Sequence, residues 1–206
     1  MDVIDPRIEE YIERFTTPHE PLLAELSEET ARELGTPGML TGPVAGRLLE
    51  FLVWVSQPKR VVEIGTFSGH SALSMAAALP EGGHIDACEL DPERAAFAQR
   101  YFDRSPHGSK ITLHVGPALD TLERLEGEFD LVFIDAEKQG YVGYYEAVLP
   151  RLAERGLIVA DNTLASGSVV DQASPIATFN EYVAADSRSV QVLLSVRDGM
   201  TLIRHA

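Results

Sequence analysis

Along the first quarter of the chain, apolar side chains recur three and four positions apart, which predicts amphipathic helices. The pair Asp5-Pro6 is typical of a helix start, because the carboxylate can cap the helix and proline suits its first position. The pattern predicts helices over residues 6–15, 22–34 and 44–55, with a loop at Thr36–Pro43 before the third.

From Arg60 onward, short apolar runs alternate with longer amphipathic segments. This alternation predicts strands and helices in turn, and hence a parallel sheet covered by helices on both faces. The predicted strands are Val61–Ile64, His84–Cys88, Ile111–Val115, Leu131–Ile134 and Leu157–Ala160. The predicted helices between them are Ser71–Leu79, Pro92–Phe102, Pro117–Leu125 and Tyr141–Leu152.

The end of the chain has a different pattern. Two apolar runs, Val190–Val196 and Met200–Arg204, flank Arg197-Asp198-Gly199, and an Asp-Gly pair between such runs predicts a hairpin. The last two strands should therefore be antiparallel neighbours. A chain of 206 residues is long enough for one α/β domain, in which we expect an N-terminal helical extension over residues 1–42 and a sheet-containing core over residues 43–206.

A glycine-containing turn follows the first predicted strand. The run Val61–Ile64 ends at Gly65-Thr66-Phe67-Ser68-Gly69 and leads into a predicted helix, and this first turn is where doubly wound α/β proteins hold nucleotide-like ligands. Glu89 ends the next apolar run, where an acidic residue can accept hydrogen bonds from ribose hydroxyls. The turn therefore predicts a ligand that contains a ribose.

The same turn differs from a dinucleotide-binding fingerprint. Between Gly65 and Gly69 it lacks the middle glycine that lets a backbone approach a pyrophosphate, and Glu63 at the strand end would repel one. A nucleotide-dependent dehydrogenase is therefore disfavoured. A ligand with a ribose and a cationic or zwitterionic tail fits better, and S-adenosylmethionine is such a ligand.

Two further strand ends carry oxygen ligands. Asp135 follows one apolar run and Asp161-Asn162 follows the next. Because parallel strands end at the same edge of a sheet, these side chains should converge there. Two carboxylates and an amide form a hard site suited to Mg²⁺, Mn²⁺ or Ca²⁺. The alternative is that Asp161-Asn162 only caps a turn.

Composition narrows the possible partners. The net charge of −15 disfavours binding to nucleic acid or to an anionic membrane. Cys88 is the one cysteine, so an intrachain disulfide framework is excluded. The N-terminal segment Met1–Pro6 lacks the features of a signal peptide, and no apolar run is long enough to span a bilayer. We therefore expect a cytoplasmic protein.

Several ordered motifs resemble one enzyme family. From about Met39 to the C-terminus, the chain is similar to class I S-adenosylmethionine-dependent O-methyltransferases of the cation-dependent caffeoyl-CoA and catechol type. The motifs that carry this resemblance are Val62–Gly69, Phe133–Tyr141, Ala160–Leu164, Phe179-Asn180 and Asp198–Leu202. The resemblance implies a Rossmann-like, doubly wound, mostly parallel seven-stranded sheet with a C-terminal antiparallel hairpin and extra N-terminal helices.

The resemblance also assigns roles to residues. It implies Lys138 as the catalytic residue and Asp135, Asp161 and Asn162 as ligands of a divalent cation, Mg²⁺ first. The residues expected to meet the acceptor are Met39, Lys138 and Tyr141. The residues expected to meet S-adenosylmethionine are Met39, Thr41, Glu63, Gly65, Thr66, Ser68, Gly69, Ser71, Glu89, Leu90, Gly116, Pro117, Ala118 and Asp135.

Departures from the family pattern surround the ligand walls. Glu137 replaces a usual Asp, Gly140 a frequent Asn, His70 a frequent Tyr, and Ala165 a common Trp. The metal ligands are unchanged. These departures leave the reaction type intact and the identity of the acceptor open.

The implied reaction is methylation of a small aromatic acceptor with adjacent hydroxyl groups. In it, a divalent cation would acidify one hydroxyl and Lys138 would take the proton. The alternatives are a metal-independent methyltransferase acting on a non-catechol acceptor and a binding module without catalysis, in which Lys138 would be an ordinary surface lysine. We also expect a homodimer, because the N-terminal helices carry much apolar surface and related enzymes commonly pair.

Overall fold

A computed structural model describes residues 4–35, 37–171 and 173–206. Its strands are β1 Arg60–Ile64, β2 His84–Glu89, β3 Ile111–Val115, β4 Phe129–Ile134, β5 Leu152–Asp161, β6 Ser189–Leu194 and β7 Met200–His205. Its α-helices are α1 Pro6–Phe15, α2 Pro21–Glu33, α3 Gly42–Ser56, α4 His70–Ala78, α5 Pro92–Arg104, α6 Ala118–Arg124, α7 Tyr141–Val148 and α8 Pro175–Ala185.

The strands of the described residues form one sheet in the order β3-β2-β1-β4-β5-β7-β6. Strands β1 to β5 are parallel, whereas β7 runs antiparallel to both β5 and β6. The predicted mostly parallel sheet with an antiparallel C-terminal hairpin is therefore confirmed. The strand order reverses between β1 and β4, and the carboxyl ends of strands at such a reversal are where open α/β sheets bind ligands.

Both faces of the sheet are covered, which explains the continuous apolar runs of its central strands. Val62 and Ile64 of β1 pack in one cluster with Phe179 of α8 and the apolar side of α7. Val61 lies in a second cluster with α3 and α4. Successive strand side chains point to opposite faces, so a strand between two helical layers must be apolar at every position.

The N-terminal helices follow the prediction closely. The Asp5 carboxylate accepts a hydrogen bond from the Arg7 backbone N–H at 2.9 Å, so it caps α1 as expected. Leu23 and Leu26 bring α2 into a third apolar cluster with α4 and α5. None of the described helices is long and apolar enough to cross a bilayer.

Some predicted boundaries are wrong. The helix predicted over Tyr141–Leu152 ends at Val148, because Pro150 lacks the N–H that an α-helix requires, and Leu152 already belongs to β5. The structure also has a helix, α8, in a segment for which the sequence analysis predicted none. The predicted loop Thr36–Pro43 and the N-terminal segment Met1–Pro6 fall partly outside the described residues, at residues 36 and 1–3.

Candidate active site

Gly65 lets the ends of two central strands meet. Its φ is +96°, and a Cβ at this position would lie 2.0 Å from the Asp135 carbonyl oxygen, so only glycine fits. The Asp135 N–H in turn donates to the Ile64 carbonyl at 2.9 Å. This close approach continues the β1–β4 pairing one residue beyond the strands and fixes Asp135 at the edge of the sheet.

A cavity of about 780 Å³ lies at the carboxyl ends of these strands. Its volume is typical of sites that hold a small molecule. The predicted site residues that line it are Met39, Gly65, Glu89, Leu90, Gly116, Pro117, Ala118, Asp135, Lys138, Asp161 and Asn162. The structure thus brings together the predicted metal ligands, the predicted catalytic lysine and more than half of the predicted cofactor residues.

Glu89 is held in a fixed orientation in the wall of this cavity. One carboxylate oxygen accepts a hydrogen bond from the Phe67 N–H at 2.7 Å, and the other accepts one from the Asp91 N–H at 2.9 Å. A carboxylate oxygen can accept more than one hydrogen bond, so both retain capacity for a ligand. This geometry suits recognition of a pair of ribose hydroxyls.

Glu63 lies deeper than predicted. Its side chain is fully buried and does not line the cavity. Burial raises the pKa of this carboxyl to about 7, and the neighbouring Ser71 and Thr66 hydroxyls oppose the rise only in part. Neither of its oxygens makes a hydrogen bond of good geometry within the described part of the chain. Glu63 is therefore a buried, unsatisfied carboxyl group beneath the turn.

Five other predicted cofactor residues are also buried and do not line the cavity. They are Thr41, Thr66, Ser68, Gly69 and Ser71. Gly69 has a local reason to be glycine, since its φ is +89° and a Cβ there would meet the Phe102 ring at 2.6 Å. The turn is thus shaped by packing as well as by any ligand.

Lys138 joins the predicted metal ligands. Its ammonium donates hydrogen bonds to Asp135 Oδ1 at 3.2 Å and to Asn162 Oδ1 at 2.7 Å. It also donates to the Tyr141 hydroxyl at 2.7 Å. Asp161 lies beside them, and its Oδ1 accepts the Asn162 N–H at 2.8 Å. A lysine three residues after Asp135 therefore returns over the end of β4, as its predicted role requires.

Burial and like charge act on the two aspartates. Burial raises the pKa of Asp135, while the Lys138 ammonium beside it and Arg197 lower it. For Asp161, burial and then the charge of Asp135 raise the pKa to about 7. Two carboxylates with raised pKa values in one place form a site at which an added cation would be stabilised.

The donor set fits a hard divalent cation. Asp135, Asp161 and Asn162 offer carboxylate and amide oxygens, and the first and last already face one positively charged nitrogen. The described residues contain no cluster of three or more His, Cys, Asp or Glu side chains that could hold a metal ion. Any cation here would therefore need the amide of Asn162, with water or acceptor oxygens completing its coordination.

Tyr141 does not line the cavity, contrary to its expected place against the acceptor. At the first position of α7 its ring is fully buried and meets the Phe179 ring edge-to-face, with centroids 5.3 Å apart. Its hydroxyl donates to the Asp161 carbonyl at 2.9 Å. It therefore supports Lys138 from below, and Tyr144, one turn later, reaches the cavity wall instead.

Two of the family departures are linked through Tyr144. Its hydroxyl donates to Glu137, and a Cβ at position 140 would lie 2.5 Å from the Glu137 carboxylate and 2.6 Å from the Tyr144 ring. The longer acidic side chain and the missing side chain at Gly140 are therefore complementary. Ala165 also lines the cavity, whereas His70 is buried away from it.

Arg197 is a site residue that the sequence analysis missed. It lies in the β6–β7 loop, lines the cavity, and donates to the backbone carbonyls of Leu40 and Thr41. The local pattern indicated only a turn at this position. Its contact partners lie more than 150 residues earlier in the chain, so no local signal could have identified it.

Comparisons with known proteins identify the family. Residues 13–206 match the O-methyltransferase family profile. A catechol O-methyltransferase of Niastella koreensis is 40% identical over 69% of this chain and 66% of its own length. A caffeoyl-CoA O-methyltransferase of Eucalyptus globulus is 34% identical, with 97% and 88% covered.

A solved structure gives the same result for the fold. The SAH-bound methyltransferase PaMTH1 of Podospora anserina has a TM-score of 0.91 and 31% identity, and the match covers 98% of this chain and 94% of that one. The mostly parallel seven-stranded sheet and its C-terminal antiparallel hairpin are those expected from the sequence resemblance. The chain therefore belongs to the S-adenosylmethionine-dependent O-methyltransferase family.

Proposed function

We propose that this O-methyltransferase methylates one hydroxyl of a small aromatic acceptor that carries two adjacent hydroxyl groups, with the help of a divalent cation. The observation that carries the proposal is the contact of one lysine ammonium with both Asp135 and Asn162 at the wall of the cavity. A base and a set of hard oxygen ligands at one point suit removal of a hydroxyl proton.

S-adenosylmethionine would supply an electrophilic methyl group. Glu89 is suited to its ribose hydroxyls, because both of its oxygens are oriented by backbone N–H groups. Gly116, Pro117 and Ala118 line the cavity next to β3 and suit the adenine. Glu63 does not line the cavity, so its carboxyl would act on the positively charged amino group at the other end only from beneath the Gly65 turn.

Asp135, Asp161 and Asn162 would hold the divalent cation. Bound there, it would supply Lewis acidity and so lower the pKa of an acceptor hydroxyl from about 10. Asp135 and Asp161 would also fix the position of the acceptor, since adjacent parallel strands fix their own positions. Such positioning lowers the entropic cost of bringing the oxygen to the methyl group.

Lys138 would accept the hydroxyl proton at Nζ. It now contacts the oxygens of Asp135 and Asn162, which are the same oxygens that a bound cation would use. Tyr141 would keep Nζ in place through the hydrogen bond at 2.7 Å. Proton removal and metal binding are therefore coupled in this proposal.

The main alternative within the family is a metal-independent enzyme with a non-catechol acceptor. The observation that favours it is that Lys138 already occupies the position between Asp135 and Asn162, which satisfies both oxygens without a metal ion. A lysine fixed in this way would then orient the acceptor as a hydrogen-bond donor.

We also propose that the protein is a homodimer. Large apolar side chains are exposed together on two neighbouring N-terminal helices, which is unusual for a monomer. On α3 these are Phe51, Trp54 and Val55, with Trp54 66% exposed, and on α1 they include Tyr11 and Phe15. A second copy of the chain would cover them.

Product analysis on paired acceptors tests the proposed function. Catechol, its single-hydroxyl analogue phenol, and resorcinol, in which the hydroxyls are not adjacent, differ only in the number and placement of their hydroxyls. With S-adenosylmethionine and Mg²⁺ we expect a monomethyl ether from catechol and little product from the other two. Equal rates on all three would favour the metal-independent alternative.

A further inference from the structure

A second cavity, of about 410 Å³, lies beside the predicted metal ligands. It is a partly open cavity bordered by α1, the start of α3 and the β6–β7 loop. Gly38, Asn162, Arg197 and Asp198 belong to the walls of both cavities. An acceptor whose ring lies near Asn162 can therefore extend a substituent into this second space.

The second cavity combines apolar walls with carboxylates. Ile12 and Val44 are among its apolar residues. Glu9 and Glu13 lie one helical turn apart on the same side of α1, and Asp198 faces them from the β6–β7 loop. In the described part of the chain, neither Glu9 nor Glu13 has an ion-pair partner, so both charges act on whatever enters the cavity.

Among the residues that the structure describes, Arg197 is the one cation that lines the second cavity, and its guanidinium already has hydrogen-bond partners. One guanidinium nitrogen donates to the carbonyls of Leu40 and Thr41. The same charge lowers the pKa values of Asp135 and Asp161, which lie on the side of the first cavity. The carboxylates of α1 therefore dominate the potential in the second cavity.

We propose that the second cavity receives the substituent of the acceptor, and that Glu9 and Glu13 select neutral or positively charged substituents over anionic ones. This inference rests on the proposed function. A catechol that carries a protonated amine would be attracted into the cavity by these carboxylates. The phosphate groups of a coenzyme A thioester would be repelled from it.

Specificity constants for three catechols that differ only in the terminal group of the substituent, and for the much larger caffeoyl-CoA, test the inference. The set is 4-(2-aminoethyl)catechol, 4-ethylcatechol, 3-(3,4-dihydroxyphenyl)propanoate and caffeoyl-CoA. We expect kcat/KM to fall from the cation to the neutral compound to the two anions. Added salt should narrow the differences, since exposed charges are screened within about 10 Å at 0.1 M ionic strength.

Charge variants of α1 show whether these two residues are responsible. Glu9→Gln/Glu13→Gln should reduce the preference for the cation over the propanoate by about fivefold, and Glu9→Lys/Glu13→Lys should reverse it. Both side chains are exposed, so folding should be unaffected, which thermal melting checks. The matched control Glu10→Gln/Glu181→Gln removes two exposed carboxylates outside both cavities and should leave the preference unchanged.

The outcomes separate this inference from the proposed function. If the wild-type protein methylates catechols but shows the same preference in both charge variants, the selectivity inference is wrong and the proposed function stands. If no catechol is methylated with Mg²⁺ and S-adenosylmethionine present, the proposed function fails, and this inference fails with it.

Discussion

Lys138 has three hydrogen-bond partners and is 33% exposed in its side chain. An ordinary surface lysine keeps its ammonium in water, because desolvating a flexible cation is costly. Here the charge is instead placed between two oxygens and a phenol hydroxyl, over the ends of β4 and β5. This placement is the reason why Lys138 is proposed as the base.

Replacement of Lys138 should separate a catalytic role from a structural one. Lys138→Ala should lower kcat on catechol by about 10²–10⁴-fold with little change in cofactor affinity, because general-base assistance is lost. Lys138→Arg should not restore the rate, since guanidinium remains protonated. Rates across pH for both variants are the measurement, and near-wild-type kcat values would make Lys138 a bystander.

The buried Glu63 predicts a pH dependence of stability. Its pKa in the folded protein is about 7, above the ordinary value of 4.5, so its protonated form is the one that folding favours. Its contribution to the free energy of unfolding is complete below pH 4.5 and is lost as the pH rises through 7. A shift of this size corresponds to about 3 kcal/mol.

Urea unfolding of the ligand-free protein and of Glu63→Gln at pH 4.5 and pH 8 measures this contribution. The wild-type protein should lose about 3 kcal/mol relative to Glu63→Gln over that interval, because glutamine does not ionise. The exposed Glu81→Gln variant is the matched control. A constant difference between wild type and Glu63→Gln would contradict the assignment of a buried carboxyl group that resists ionisation.

At the scale of elements, α8 supports the site from behind. Phe179 is fully buried and contacts the rings of Tyr141 and Tyr145 edge-to-face, with centroids 5.3 and 6.3 Å away. Tyr141 in turn holds Lys138 and the Asp161 carbonyl. Packing of α8 against α7 therefore fixes the direction from which Nζ approaches the carboxylates.

Removing the Phe179 ring should affect both stability and catalysis. Phe179→Ala should destabilise the protein by about 3–5 kcal/mol through the cavity it leaves, and kcat should fall more than cofactor affinity. Tyr182→Phe on the same helix removes only a hydrogen bond of a partly exposed hydroxyl and should cost less than about 1.5 kcal/mol. Denaturant midpoints and kcat of the two variants give the comparison, and an unchanged kcat in folded Phe179→Ala would exclude a supporting role.

The elements differ in how far the sequence could predict them. The parallel strands were predicted because a strand between two helical layers is apolar at every position. The local sequence does indicate α8, although the sequence analysis missed it. Its apolar residues have helical spacing, at Ile176, Phe179 and Val183, and Ser174 caps the helix. β5 begins at Leu152, earlier than predicted. The prediction missed this start because Glu154 and Arg155 interrupt the apolar pattern of the strand.

In the site, too, the local sequence predicts some features, whereas others depend on contacts between distant segments of the chain. The convergence of Asp135, Asp161 and Asn162 could be predicted from the sequence, because neighbouring parallel strands end at the same edge of the sheet. The burial of Tyr141 depends on Phe179, and the position of Arg197 depends on the carbonyls of Leu40 and Thr41. These contacts join segments far apart in the chain, so the periodicity of apolar residues along the sequence does not indicate them.

At the scale of the whole molecule, the exposed apolar surface of α1 and α3 predicts self-association. Light scattering should give a mass of twice 22.5 kDa. Trp54→Glu, which places a charge in that surface, should shift the protein to the monomer, whereas Glu181→Gln should not. A wild-type mass of 22.5 kDa under dilute physiological conditions would count against the dimer.

The proposed metal-assisted centre for methyl transfer consists of Asp135, Asp161, Asn162 and Lys138. The most direct measurement is the rate of catechol methylation after chelator treatment and again after Mg²⁺ is restored, in the wild-type protein and in Asp161→Ala. We expect the rate to be lost with the chelator, recovered with Mg²⁺, and absent in Asp161→Ala although S-adenosylmethionine still binds. Full activity in the presence of chelator would contradict the account and favour the metal-independent enzyme.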